Sequence, residues 1–240
     1  MAIIPPRKRR AFLTETCVFA IIEALLWIDI LWGGILVNAA QYCSVVLAFA
    51  FSMLFIGRSP KRFLIQAGLL LTCVADFFLV VSNPIAQSPA MTAFVISQLA
   101  YCAFIVVFGG KIFNVVQLSI RAAASVAIEI TAAVVLKDKF DYLAAVSMFY
   151  YVNLIINAVC AFFLFKKLPL FAIGLFLFIL CDTLIGLNVA LGTYIFVDES
   201  SVIYAISHSA FNWAWAFYLP SQVCIAVSAA AISNKIFENQ

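Results

Sequence analysis

Phe171 to Asn188, FAIGLFLFILCDTLIGLN, is apolar enough to lie in a bilayer, yet it carries Asp182 two-thirds of the way along. A carboxylate at that depth is costly unless it faces a bundle interior or water, so an intramembrane acid marks a candidate functional site. The plainer alternative is an acid paired inside the bundle for packing. This stretch has a twin. A shift of 106 residues places Lys61, Gly68, Leu69, Leu71 and Asp76 on Lys167, Gly174, Leu175, Leu177 and Asp182, so K-x6-G-L-x-L-x4-D occurs twice. Leucines match easily in so Leu-rich a chain. Aspartates do not, because the protein has only 11 acids. Two apolar segments ending in the same buried acid imply an internal repeat.

Outward from these segments the chain stays apolar: 66% of its residues are hydrophobic and 10% charged, with a mean hydropathy of +1.14. Soluble domains lie far from these values, and the expected class is an all-α, multi-pass membrane protein. At about 20 residues per span, eight spans nearly use up the 240 residues, as one transmembrane domain over 1–240 with no room for a soluble one. The seven cysteines (17, 43, 73, 102, 160, 181 and 224) are odd in number, scattered among apolar neighbours and without C-x-x-C spacing. They read as small packing residues. His208 is the sole histidine, which argues against a His-rich zinc hydrolase of the alkaline ceramidase type, since catalytic zinc wants about three protein ligands. The net charge of +3 gives no reason to invoke nucleic acid, because the basic residues sit at span ends. Glu23 and Asp29 interrupt the first apolar run, which is also longer than the core of a signal peptide, so it is taken as the first span.

Hydropathy places spans at roughly 15–37, 39–57, 63–82, 91–108, 115–136, 142–165, 168–191 and 206–232. Lys and Arg favour cytoplasmic loops. With a cytoplasmic N-terminus, the inside segments hold Arg7, Lys8, Arg9, Arg10, Arg58, Lys61, Arg62, Lys111, Lys166, Lys167 and Lys235, against Lys137 and Lys139 outside, an 11 to 2 bias. The expected topology therefore has both termini inside a cytoplasmic membrane. Spans 3 and 7 then run the same way, and the four-helix halves, about 15–108 and 115–232, form a parallel repeat about an axis along the membrane normal. Asp76 and Asp182 should share one depth, about two turns below the outer surface.

Other polar residues fall near that level: Asp29, Gln98, Glu129 and Tyr150. Asn153 and Asn157 continue along span 6 at i, i+4 spacing. Gln117, Arg121, Ser125 and Glu129 form a slowly drifting stripe on span 5, and span 8 offers His208 with Asn212, then Tyr218 with Gln222. One shared polar cavity in the outer half is the simplest expectation. The alternative for Asn153, Asn157 and Gln222 is a bond between helices worth about 0.6 kcal/mol. Arg121 has two readings, a side chain that snorkels to the cytoplasmic surface and a ligand for a lipid phosphate. Trp27, Trp32, Trp213 and Trp215 read as packing or interfacial residues. Pro220 is expected to kink span 8, and Glu23 has no assigned role. No phosphate loop, nucleophile elbow or metal signature is present.

The segments LLLTCVADFFLV, FVISQLAYCAFIV, FAIGLFLFILCDTLIGLN and FYLPSQVCIAVSA together resemble the lysoplasmalogenase (YhhN-like) family of multispanning membrane proteins, over roughly residues 55–230. The most specific element is D-x-L-[IL]-x-L-N around Asp182 and Asn188. The resemblance implies hydrolysis of the vinyl ether bond of lysoplasmalogens to a fatty aldehyde and a glycerophospho-alcohol, with Asp76 and Asp182 as the catalytic pair. The substrate-binding set expected around them is Gln98, Tyr101, Arg121, Glu129, Tyr150, Asn153, Asn188, Tyr218 and Gln222. Two departures stand out: Ala75 where the family usually has Gly before the first Asp, and Gln98 where its fourth-span motif has His.

Vinyl ether cleavage fits these residue types. Protonation of the β-carbon gives an oxocarbenium ion, water captures it, and the hemiacetal collapses to aldehyde and alcohol. One carboxyl must deliver the proton and another must stabilise the cation and activate water, a division of labour familiar from glycosidases and aspartic proteases. Neither metal nor cofactor is required, and the partners implied are a lysophospholipid and the bilayer. Two other classes stay open. A proton- or cation-coupled transporter would use the same acids, although no inverted repeat or matched pair of broken helices is visible. A non-catalytic lipid-binding protein would keep the cavity without depending on two acids.

Overall fold

Apolar runs long enough to cross hydrocarbon must satisfy their backbone internally, and a helix does so within one segment. The computed structural model describes residues 6–34, 37–54, 61–82, 84–193, 205, 209 and 211–233. Among these, eight helices are long and apolar enough to cross a membrane. They are α1 (Pro6–Leu31), α2 (Val37–Leu54), α3 (Lys61–Asp76), α4 (Gln87–Phe108), α5 (Lys111–Leu136), α6 (Tyr142–Phe163), α7 (Pro169–Thr193) and α8 (Trp213–Ser233). Arg58, His208 and Lys235, with the side chains of Arg7, Lys8 and Arg9, lie outside the described residues.

Two ends fall short of the hydropathy reading by more than a turn, while α1 begins earlier than read, at Pro6. Helix α1 stops at Leu31, not at 37, because Gly33 takes a positive φ of 70° and the Gly34 amide bonds the Asp29 carbonyl at 2.9 Å. This is a Schellman stop, which a left-handed glycine makes easy. Helix α8 begins at Trp213, not near 206, and Asn212 caps it: its Oδ1 accepts from the Trp215 amide at 3.3 Å. Asn212 is thus a helix cap and not a polar residue of the span. A third feature has no counterpart in the hydropathy pattern. Immediately after Asp76 the chain continues as a π-helix, Phe77–Val81.

Helices α3, α4, α7 and α8 form a central ring. Helix α3 packs on α4, α7 on α8 and α8 on α3. The contact of α4 with α7 is aromatic, with Tyr101 and Phe104 both set against Phe171. The flanks are α1 with α2, which reaches α3 and α8, and α5 with α6, which reaches α7 and α4. Adding four to each helix number carries the contacts α1–α2, α2–α3 and α3–α4 onto α5–α6, α6–α7 and α7–α8, whereas among the described residues the contact of α1 with α8 has no equal between α5 and α4. The two motif glycines occupy equivalent crossings. A Cβ at Gly68 would run into the Tyr101 ring, and one at Gly174 would lie 2.7 Å from Ile225 Cγ1 and 3.0 Å from the Ser221 carbonyl. Glycine lets each pair of helix backbones approach closely. Ser97, three turns into α4, donates to the Gly68 carbonyl at 2.9 Å. The large apolar side chains left exposed, such as Leu25, Val135, Phe163 and Phe176, form the face presented to lipid.

Candidate active site

Asp76 ends α3 and is 3% exposed. Its Oδ2 accepts a hydrogen bond from the Tyr218 hydroxyl of α8 at 2.5 Å. Asp182, in the C-terminal half of α7, is half-buried, and its Oδ2 accepts from the Tyr150 hydroxyl of α6. The Cys181 thiol adds a second contact to Asp182. Hydrogen bonds to an ionised group are short and about twice as strong as neutral ones.

An aromatic series joins the two tyrosines. Tyr150 packs on Phe94 with ring centroids 5.4 Å apart, Phe94 on Phe178 at 6.1 Å, and Phe178 on Tyr218 at 5.3 Å. Trp215 stands edge-on to Tyr218 at 5.0 Å. Phe178 lies one turn before Asp182 on α7 and is fully buried. The site therefore has apolar walls and a few convergent polar groups, the usual make-up of a small-molecule pocket.

The remaining expected residues divide. Gln98 and Asn153 join a separate network around Arg121. The Arg121 guanidinium bonds Asn153 Oδ1 at 2.6 Å and Asn157 Oδ1 at 2.7 Å, and Asn157 Nδ2 donates to Gln98 Oε1 at 3.0 Å. Arg121 therefore does not snorkel; it is held sideways inside the bundle. Tyr101 is a packing residue, fully buried over Gly68 with its hydroxyl beside Thr72 and Ser97. Glu129 is half-buried beside the Phe149 backbone, with Oε1 lacking a hydrogen-bond partner. Gln222 is buried one turn beyond Tyr218, and neither end of its amide has a partner.

Asn188 is exposed. Six residues beyond Asp182, it has turned about 240° round the helix and leaves the acid-facing side. The single polar cavity read from depth is thus two neighbouring groups, because depth says nothing about helix rotation. Sequence reading missed Phe94 and Phe178, although Phe178 at i−4 from Asp182 shares its face. It also missed the hydroxyl pair Tyr151 and Thr183, 2.5 Å apart on the exposed side of the seam between α6 and α7. Among the described residues no three His, Cys, Asp or Glu side chains form a group able to hold a metal ion.

The model of the YhhN family matches residues 37–229, from the start of α2 almost to the end of α8. Neither the curated proteins nor the solved structures give a match.

Proposed function

The chain belongs to the YhhN family, and we propose that it is a membrane-embedded hydrolase that cleaves the vinyl ether bond of lysoplasmalogen-type lysolipids. The observation that carries this reading is that each motif aspartate has its own tyrosine donor, with the two pairs joined by an apolar aromatic wall. A packing acid needs only a partner. Two tethered acids beside an apolar surface suit a lipid substrate.

In each pair the tyrosine occupies Oδ2, leaving Oδ1 to face the reacting bond. Asp76, the more enclosed of the two, delivers its proton to the β-carbon, and the π-electrons of the double bond form the new C–H bond. The adjacent ether oxygen shares the positive charge as an oxocarbenium ion, which the Asp182 carboxylate stabilises. Water then adds to the α-carbon and gives a proton to Asp182, on the more open side of the site. The hemiacetal breaks its bond to the glycerol oxygen, which takes the proton from Asp182 and leaves as the alcohol, while the hemiacetal hydroxyl gives its proton to Asp76 and the other fragment becomes the fatty aldehyde. One water is consumed, and the final proton transfer resets the pair. Positioned acid–base groups of this kind contribute about 10²- to 10⁴-fold.

The bias of the basic residues favours both termini on the cytoplasmic side of a cell membrane, and the helix contacts shared by the two halves support a parallel repeat. Purified protein is to be given lysoplasmalogens and, as controls, saturated ether lysolipids of equal chain length. Release of fatty aldehyde from the vinyl ethers alone is expected. Failure to cleave any vinyl ether, with lipid binding retained, would move the reading to a lipid-binding protein.

A further inference from the structure

Arg121 is 7% exposed, and among the described residues no carboxylate forms an ion pair with it. Burying a guanidinium is costly unless its donors are satisfied, and here most of them are. One terminal nitrogen bonds Asn153 Oδ1 at 2.6 Å and the Asn153 carbonyl at 3.4 Å. The other bonds Asn157 Oδ1 at 2.7 Å and Gln117 Oε1 at 3.3 Å. Of its five N–H groups, only that on Nε is buried without a partner among the described residues. A lipid phosphate would have to displace these bonds, so the side chain is committed to the protein.

Both asparagines are fixed at their other ends. Asn153 Nδ2 donates to the Phe149 carbonyl at 2.7 Å, and Asn157 Nδ2 to the Gln98 carbonyl at 2.8 Å on α4. Arg121 thereby clamps α6 against α5, and Asn157 clamps it against α4. Tyr150 lies on the same helix three residues from Asn153, about 4.5 Å along the axis. Its hydroxyl reaches across to Asp182 on α7.

The other half of the chain provides a control. Subtracting 106 from Arg121, Tyr150, Asn153 and Asn157 gives Glu15, Ser44, Leu47 and Phe51. There Phe51 stacks on Phe19, with ring centroids 4.1 Å apart. At the position matching Tyr150 that helix carries Ser44. The network is found in the half where the helix has a tyrosine to place.

We propose that Arg121, through Asn153 and Asn157, sets the rotation and depth of α6 and so positions the Tyr150 hydroxyl on Asp182. It is a positioning residue for the acid pair. Its kinetic consequence rests on the hydrolase reading; its geometric consequence does not. The geometric test places 3-fluorotyrosine at 150, or at 218 as a control, and records the ¹⁹F resonance of the purified, folded protein with and without Arg121→Gln. The resonance at 150 should shift and that at 218 should not. An unmoved resonance at 150 overturns the proposal even if no substrate is ever found.

The kinetic test is a double-mutant cycle. Arg121→Gln should lower kcat about tenfold with KM within about twofold, the size expected when a hydrogen bond to a charged group is misplaced. In a Tyr150→Phe background the further loss should fall below about twofold, whereas in Tyr218→Phe the tenfold loss should return. Equal losses in all three backgrounds would mean a general structural role, and a rise in KM alone would mean a substrate contact; either overturns the proposal. Should Arg121→Gln fail to fold, Asn153→Ala leaves the Asn157 arm in place and is read by the same resonance and cycle.

Discussion

Asp76 and Asp182 close the same motif in two halves of one chain, yet their surroundings differ. Asp76 is the last residue of an α-helix, with a π-helix beyond it and a tyrosine supplied by α8. Asp182 lies inside a helix that runs on to Thr193, with a tyrosine supplied by α6. One acid is enclosed and the other half-open. The two copies of the motif thus share a carboxyl group while the supports around it differ. π-Helical turns recur at functional sites, and the one here begins immediately after Asp76. The flanks diverge likewise: the Phe19 and Phe51 stack on one side, the Arg121 network on the other.

The sharpest way to test the equivalence of the two acids is to neutralise each. Asp76→Asn and Asp182→Asn should each lower aldehyde release by about 100-fold or more, while each protein still elutes as a folded species. Asn is nearly isosteric and cannot deliver the proton. Near wild-type turnover from either variant would break the pairing.

The tyrosines come next, and here the halves should separate. Tyr218→Phe is expected to cost roughly thirtyfold in kcat and Tyr150→Phe roughly tenfold, within the range for a hydrogen bond to a charged group. The smaller loss falls on the side where Cys181 also touches the acid. Steady-state turnover of the two variants side by side decides this, and the reverse order would contradict the contrast drawn here.

The glycines test packing and not chemistry. Gly68→Ala and Gly174→Ala should each destabilise by about 1–3 kcal/mol, as overpacking does, read as lower melting temperatures in detergent. Gly68→Ala should cost more, because its Cβ would run into the Tyr101 ring, which Phe171 pins, whereas the nearest atom to a Cβ at Gly174 is 2.7 Å away. The smallest effect belongs to the outer seam. Tyr151→Phe removes an exposed hydroxyl pair and should change stability by no more than ~0.5 kcal/mol. Together with an unchanged kcat, that result would separate Tyr151 from its neighbour Tyr150, which bonds Asp182.

Composition was sufficient for the helical class, and the sustained apolar runs were sufficient for the number of spans, because hydrocarbon leaves so few ways to satisfy a backbone. The two acids were also legible, since a rare charged residue recurring in register needs no coordinates to be seen. Gly33 and Asn212 were visible too, but apolar neighbours hid their capping roles and moved two span ends.

The partner of each polar side chain was not legible. Asp29, Gln98, Glu129 and Tyr150 sit at similar depths in the sequence, yet Tyr150 turns to Asp182, Gln98 to Asn157 and Glu129 to the edge of the bundle. Each residue along a helix rotates the side chain by about 100°. Depth follows from position along a span, whereas the direction a side chain faces depends on which helices pack beside it. That choice is made by contacts such as Gly68 on Tyr101, between residues 33 positions apart, which hydropathy along the chain does not encode.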